Sequence, residues 1–247
     1  MTDWREQLDA DGFVLLPGVL DAAAVGATLG QWAEASARHA TDDAILANDG
    51  PPYGARDLLR LWPRAVEVAR TPALREALLA VLGPAAGVVR VLFFDKPPGH
   101  SWALPWHKDY NVAVREHCGG DVFTKPTTKA GVPHVMAPAA VLGAMLTARV
   151  HLDDVTAANG PLRVIPGSHR HYAMGEDVAC EPVAVRCAAG DVLLMRPLLT
   201  HASGHTRPDA QAHRRIVHFE CAATPDLPDG YHWHDFRPLA RERDASC

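Results

Sequence analysis

The chain has 247 residues, 48% hydrophobic and 21% charged, the balance of a folded globular protein and not of a disordered, collagenous or disulfide-scaffold one. Lys and Arg number 24 against 29 Asp and Glu, a formal charge of −5 without a basic run, which excludes nucleic acid as a partner. The longest apolar stretch, Ala137 to Ala148, is too short to span a membrane, so no membrane partner is expected.

The acidic, amphipathic start does not read as a secretion signal. Cys118, Cys180, Cys187, Cys221 and Cys247 are odd in number and lack a CxxC pair, which argues against a disulfide framework and a thiolate zinc site. A cytoplasmic location is expected. Asp11 to Pro17 reads as a short strand, and Asp21 caps a run from Ala22 to His39 with apolar residues at helical spacing. Ala65 to Arg70 and Thr71 to Leu82 form a helical pair, the second opened by Thr71-Pro72 and ended by Gly83-Pro84. Residues 1–85 are therefore expected to be mostly helical.

From Val88 the texture changes to short β-branched and aromatic runs: VVRVLFFDK, LGAMLTARVHLDD, LRVIPGSH, PVAVRC, DVLLMRP and RRIVHFEC. The turns Asn159-Gly160 and Ala189-Gly190-Asp191 are expected to join neighbouring runs as hairpins. Helices do not alternate with strands, which disfavours a doubly wound parallel sheet. The expected fold is mainly β with flanking helices, a barrel or sandwich core over residues 86–225 in a single domain spanning 1–247. Asn111 to Pro138 has little periodicity and reads as a long loop over the mouth of that core.

Fourteen histidines are the compositional anomaly, and they direct attention to metal ligation. In Trp106-His107-Lys108-Asp109-Tyr110 a histidine and a carboxylate stand two residues apart, the spacing that puts both on one side of an extended backbone. A second isolated histidine, His201, lies where a strand end runs into a loop, in Arg196-Pro-Leu-Leu-Thr-His-Ala-Ser-Gly204. His107, Asp109 and His201 together make a two-histidine, one-carboxylate set, which suits Fe(II) and leaves coordination positions open for chemistry. His151-Leu-Asp153 has the same spacing, but its place at a strand end before a turn reads as structural.

Strand alternation in Arg214-Arg215-Ile-Val-His-Phe-Glu220 puts Arg214, Ile216, His218 and Glu220 on one face. The other face, Arg215, Val217, Phe219 and Cys221, is the natural one to pack on helices. Arg214 then points inward, where a guanidinium grips a carboxylate in two-pronged fashion, unless Glu220 or another internal acid takes it up. Arg149 is likewise set apart from the apolar Ala148, Val150 and Leu152, and a buried arginine needs an anionic partner.

The order of DGFVLLPGVLD, FFDKPPG, WHKDY, RVHLDD, NGPLRVIPGSHR, GDVLLMRPLLTHASG and HRRIVHFE resembles the phytanoyl-CoA dioxygenase (phytanoyl-CoA 2-hydroxylase) family of Fe(II)- and 2-oxoglutarate-dependent oxygenases, over nearly the whole chain. The resemblance implies a double-stranded β-helix, or jelly-roll, core with His107, Asp109 and His201 as iron ligands. It implies that Arg214 holds the distal carboxylate of the cosubstrate 2-oxoglutarate with help from the Ser203 hydroxyl, and it adds Arg149, Arg56 and Leu92 as further cosubstrate contacts. It also implies consumption of O2 and hydroxylation of an unactivated C–H bond of a small organic substrate, with release of succinate and CO2. The retained Asp109 favours hydroxylation, since related halogenating enzymes lack this carboxylate. Desaturation, epoxidation and ring formation use the same iron site.

Trp106 and Tyr110 flank the ligand pair and are candidates to stack on substrate. Lys129, His134 and Arg115 in the following loop are candidates to meet an anionic or polar group. No basic patch for CoA phosphates is evident, so a small substrate not linked to CoA is expected. Two other classes share parts of the pattern. A zinc-dependent hydrolase can use two histidines and a carboxylate but has no need of an inward arginine at the far end of the pocket. A non-catalytic jelly-roll metal- or ligand-binding protein has no reason to keep the three ligands, Ser203 and Arg214 together.

Overall fold

The computed structural model describes residues 3–47, 52–99, 101–175 and 180–240. The first elements are α1 (Trp4–Asp11), β1 (Phe13–Leu16), α2 (Ala22–Arg38), β2 (Ile45–Leu46), β3 (Gly54–Ala55), α3 (Leu58–Leu61), α4 (Val66–Ala69) and α5 (Pro72–Leu82). Then come β4 (Gly87–Phe94), β5 (Leu104–His107), β6 (Asn111–Ala113), β7 (Thr124–Lys129), β8 (Val132–Met136), α6 (Ala139–Gly143) and β9 (Met145–His151). The last are β10 (Leu162–Val164), β11 (Val183–Val185), β12 (Val192–Met195), β13 (His201–Ser203), β14 (Ile216–Ala222) and β15 (Arg237–Pro238).

The strands build a large sheet in the order β1-β12-β9-β14-β4-β3-β2, with β15 added on β4, and a smaller one in the order β11-β10-β13-β5. Every pairing is antiparallel, and the two sheets form the jelly roll. The large sheet separates two chemistries by alternation alone. Its outer face carries Val91, Phe93, Ala148, Val150, Val217 and Phe219, all buried in one apolar cluster with residues of the helices. Its inner face carries Arg90, Leu92, Arg149 and His218, which turn toward the smaller sheet.

The helices are sealed onto the outer face by their apolar stripes. In α2, Asp21 caps the first turn by accepting from the Ala24 N–H at 2.8 Å, and Val25, Thr28, Trp32 and Ala35, three and four residues apart, are the buried face. Trp32 stacks on Phe93 with ring centroids 4.3 Å apart. In α5, Pro72 opens the helix and Gly83 ends it at φ 87°, with Leu74, Ala77, Leu78 and Leu82 buried.

Besides its helices and β1, which falls in the stretch Asp11 to Pro17 read as a strand, the N-terminal region holds β2 and β3, which extend the large sheet beyond β4; two-residue strands leave no alternation to read. Two expectations are corrected. The stretch Asn111 to Pro138 is not an irregular loop but holds a three-stranded antiparallel sheet in the order β6-β8-β7. Its hairpin turns at Ala130-Gly131, φ 47° and 77°, a turn without the usual Asn-Gly signal. The turns at Asn159-Gly160 and Gly190 do not close hairpins either: the strands on either side lie in different sheets, so both are crossovers. Gly190, at φ 92°, passes so close to the chain entering α2 that a Cβ there would lie 2.1 Å from the Leu20 carbonyl oxygen.

Phe93→Ala should remove the ring that Trp32 stacks on and lower stability by about 3–5 kcal/mol, read as a lower urea midpoint at unchanged m-value. A loss below about 1 kcal/mol would show that the helices do not depend on this contact.

Candidate active site

A cavity of ≈ 1110 Å³, counting its open mouth, lies between the two sheets. His107, Asp109 and His201 meet on its wall with ligand atoms within 4.8 Å of one another. The two histidines come from adjacent strands, paired directly as His201↔His107 at the end of β5 and the start of β13. Asp109 follows just after β5, its N–H donating to the Pro197 carbonyl at 2.9 Å. The intervening Lys108 turns the other way and donates to the carbonyls of Ser168 and His171 at 2.8 and 2.7 Å. The two-residue spacing thus works as strand geometry requires.

Each histidine is oriented by its own backbone. The Nδ1–H of His107 donates to the Pro105 carbonyl at 2.7 Å, and that of His201 to the Leu199 carbonyl at 2.8 Å. This fixes the tautomer that leaves both Nε2 lone pairs free, 4.0 Å and 3.7 Å from the Asp109 oxygens. Burial, the dominant influence, pushes His201 down to about 4, so it stays neutral. Burial works against the charge of Asp109, but His201, His218, His107 and Arg90 hold its carboxyl below the ordinary range. Asp109 Oδ2 is buried without a hydrogen-bond donor. Two histidine Nε2 atoms and a carboxylate with an unsatisfied oxygen form a donor set that fits a divalent cation such as Fe(II).

Deeper in the cavity are cations that pair with no acid among the described residues. Arg214 is 2% exposed and Arg149 is 7% exposed, and the Nε of each is buried without a partner. Burial pushes Arg214 down to about 9, with Arg149 repelling it, and burial pushes Arg149 down to about 10. Arg149 donates to the neutral ring of His218 at 3.1 Å. Glu220, the internal acid that strand alternation offers to Arg214, instead accepts from Arg90 at 2.5 Å. Arg215 points away and pairs with Asp153 at 2.6 Å, which is the structural use of the His151-Leu-Asp153 segment. His151 stays buried with both ring nitrogens unpaired.

Sequence reasoning missed Lys96. Its side chain is fully buried behind Ser203, donating to the Gly204 carbonyl at 2.6 Å and to the Ser203 hydroxyl at 3.3 Å, and it lies over the Trp102 ring at 4.7 Å. Burial, then Arg214 and Arg149, push its amine down to about 7. The available signal was a lysine two residues after the apolar run of β4. Arg90 was legible as an inward position of the same strand.

Of the other candidates, Ser203, Leu92, Arg56, Lys129 and His134 all line the cavity. Burial, then Arg90, push His134 down to about 4. Trp106 and Tyr110 do not belong to the lining. Trp106 lies under the Arg163 guanidinium at 5.2 Å, on the side of β5 opposite His107, and the Tyr110 hydroxyl donates to the Tyr172 carbonyl at 2.5 Å. Arg115 is exposed, its N–H donating to the His232 carbonyl at 3.0 Å, and is outside the lining as well.

The sequence matches the family model described as phytanoyl-CoA dioxygenase (PhyH) over residues 8–216. The chain belongs to the phytanoyl-CoA dioxygenase family. Among its relatives, the L-proline trans-4-hydroxylase of Streptomyces griseoviridis is 30% identical over 183 residues, 72% of this chain and 59% of that protein. The iron/alpha-ketoglutarate-dependent dioxygenase ausU of Aspergillus calidoustus is 37% identical over 71 residues, 28% of this chain and 24% of that protein. The chain therefore aligns with less than two thirds of either relative's length. The crystal structure of EctD from S. alaskensis with 2-oxoglutarate and 5-hydroxyectoine shares the fold at TM-score 0.65 and 20% identity, covering 88% of this chain and 74% of that one.

Cobalt(II), added to metal-free protein as a spectroscopic probe, should bind one equivalent, and His201→Ala should weaken it by at least about tenfold, followed by absorbance titration. Equal binding by the variant would remove His201 from the ligand set.

Proposed function

We propose that the protein is a non-haem Fe(II)- and 2-oxoglutarate-dependent dioxygenase that hydroxylates an unactivated C–H bond of a small organic molecule. The observation that carries this reading is the juxtaposition, in one cavity, of a two-histidine, one-carboxylate group with two buried arginines that have no anionic partner among the described residues. His107, Asp109 and His201 hold the iron. Arg214 and Arg149 receive the carboxylate charge of the cosubstrate, Ser203 donates its hydroxyl to the same group, and Leu92 forms an apolar wall beside it. Bound Fe(II) with 2-oxoglutarate and O2 supplies the oxidising chemistry, releasing succinate and CO2.

The chain's own part is positioning and exclusion of water. The backbone carbonyls of Pro105 and Leu199 keep the histidine rings turned so that their Nε2 atoms face the Asp109 oxygens. The apolar lining, with Val89, Leu92 and Phe94, holds a low dielectric in which a guanidinium–carboxylate contact is strong. Lys96 behind Ser203 orients the serine and adds positive potential. A zinc hydrolase makes no use of Arg149 and Arg214, and family membership speaks for oxidation.

We further propose that residues 1–247 act as one catalytic domain, since helices and large sheet share an apolar cluster, and that the enzyme works in the cytoplasm. In support, Cys118, Cys180, Cys187 and Cys221 are free thiols, and among the described residues no helix is long and apolar enough to cross a membrane.

Anaerobic addition of 2-oxoglutarate to the Fe(II)-loaded protein should produce a weak visible charge-transfer band, and Arg214→Ala should raise the 2-oxoglutarate concentration needed for it by at least about tenfold while iron still binds. A wild-type protein that binds iron without ever giving the band would overturn the assignment.

A further inference from the structure

Five cationic side chains face the cavity, those of Arg56, Arg90, Lys129, Arg149 and Arg214. The acids that line or border it are already taken. Glu220 accepts from Arg90 at 2.5 Å, Asp57 pairs with Arg60 at 2.6 Å, Asp235 pairs with Arg237 at 3.1 Å, and Asp109 belongs to the metal group. On the function proposed above, the cosubstrate's charge answers Arg149 and Arg214. Two cations are left over. Among the described residues, neither Lys129 nor Arg56 makes a side-chain hydrogen bond or ion pair.

These two form a group of their own. Lys129 is half-buried, and burial, then repulsion from Arg90 and Arg56, hold its amine below the ordinary lysine range. Deeper in the same cavity, Arg214 is repelled by Arg149, and Lys96 by both. The backbone fixes each member of the outer pair. Lys129 is the last residue of β7, paired with Val132 across the tight Ala130-Gly131 turn, whose first residue accepts a left-handed φ of 47° without being glycine. Arg56 follows β3, its N–H donating to the Ala44 carbonyl at 2.8 Å. Lys129 at the end of β7 and Arg56 just after β3 thus face the cavity near the already neutralised Arg90 with no side-chain pairing among the described residues, and one anion entering from the mouth relieves them.

We propose that Lys129 and Arg56 form the carboxylate-binding subsite for the primary substrate, which is a small carboxylic acid or amino acid. The inference rests on the dioxygenase reading and moves Arg56 from the cosubstrate, where the family resemblance puts it, to the substrate. A monoanion held by a fork and an ammonium is fixed in orientation, so the C–H bond presented to the metal is set by its distance from the carboxylate.

The test uses the Fe(II)-loaded full chain. Succinate release from 2-oxoglutarate is measured with a panel of small carboxylic acids, L-proline among them, each beside its methyl ester and beside phosphate monoesters of similar size. Acids of the panel should stimulate succinate release and their esters should not. For the best acid, Lys129→Met and Arg56→Gln should each raise KM by at least about tenfold, Lys129→Arg should restore most of it, and the 2-oxoglutarate concentration giving half the visible band should move less than about twofold. Stimulation by esters or phosphate monoesters as strong as by acids, no stimulation by any acid, or an unchanged KM in both variants would overturn the subsite. A shift of the 2-oxoglutarate requirement in Arg56→Gln matching that of the KM would return Arg56 to the cosubstrate and overturn its role here. Failure of the wild type to form the band at all would instead overturn the dioxygenase reading.

Discussion

Arg149 and Arg214 are buried between two sheets, and among the described residues no acid pairs with either. Charges in such a place are costly unless they are paired, so the fold carries a deliberate imbalance that only a ligand removes. Much else follows from this constraint. The acids that strand alternation brings to the inner face are engaged elsewhere: Glu220 accepts from Arg90, and Asp153 holds the neighbouring Arg215 away from the cavity. The metal-ligand group stands on the opposing sheet, where the direct pairing of His201 with His107 brings two strand ends together. Cavity, cations and donor set are therefore products of one antiparallel arrangement.

The energetics of that arrangement are divided by face. Stability comes from the outer surface of the large sheet, where Phe93, Val150, Val217 and Phe219 meet the helices in a continuous apolar cluster. The inner surface of the same strands carries charge and gives stability away in exchange for a preorganised pocket. Because the two faces alternate residue by residue, a one-residue slip of β14 would exchange Arg214 for Arg215 and His218 for Phe219, destroying site and core together. Antiparallel pairing on both flanks, with β4 on one side and β9 on the other, holds β14 in register.

The parts of the site that follow strand periodicity were legible in the sequence: His107 with Asp109, the inward Arg214, and Arg149 set apart from its apolar neighbours. Alternation also separates Trp106 from His107, yet proximity in sequence suggested a contact that β5 does not make. Lys96 was not legible because its role comes from burial behind Ser203, a contact between segments 107 residues apart. The sheet formed by β6, β7 and β8 was hidden for another reason. Its β7 is exposed, broken by Pro126 and paired with a shift in register, so no apolar alternation marks it. The two crossover turns looked like hairpins because turn chemistry reports a local reversal and not which sheet the next strand joins.

The claim that a dicarboxylate answers the buried arginines is tested most directly by comparing 2-oxoglutarate with 2-oxobutyrate, which keeps the metal-chelating end and lacks the distal carboxylate. Both would be titrated anaerobically onto the Fe(II)-loaded protein by calorimetry. Binding of 2-oxoglutarate tighter by at least about tenfold, with the difference largely lost in Arg214→Ala, is the result expected. Equal affinities for the two acids in the wild-type protein would contradict the account.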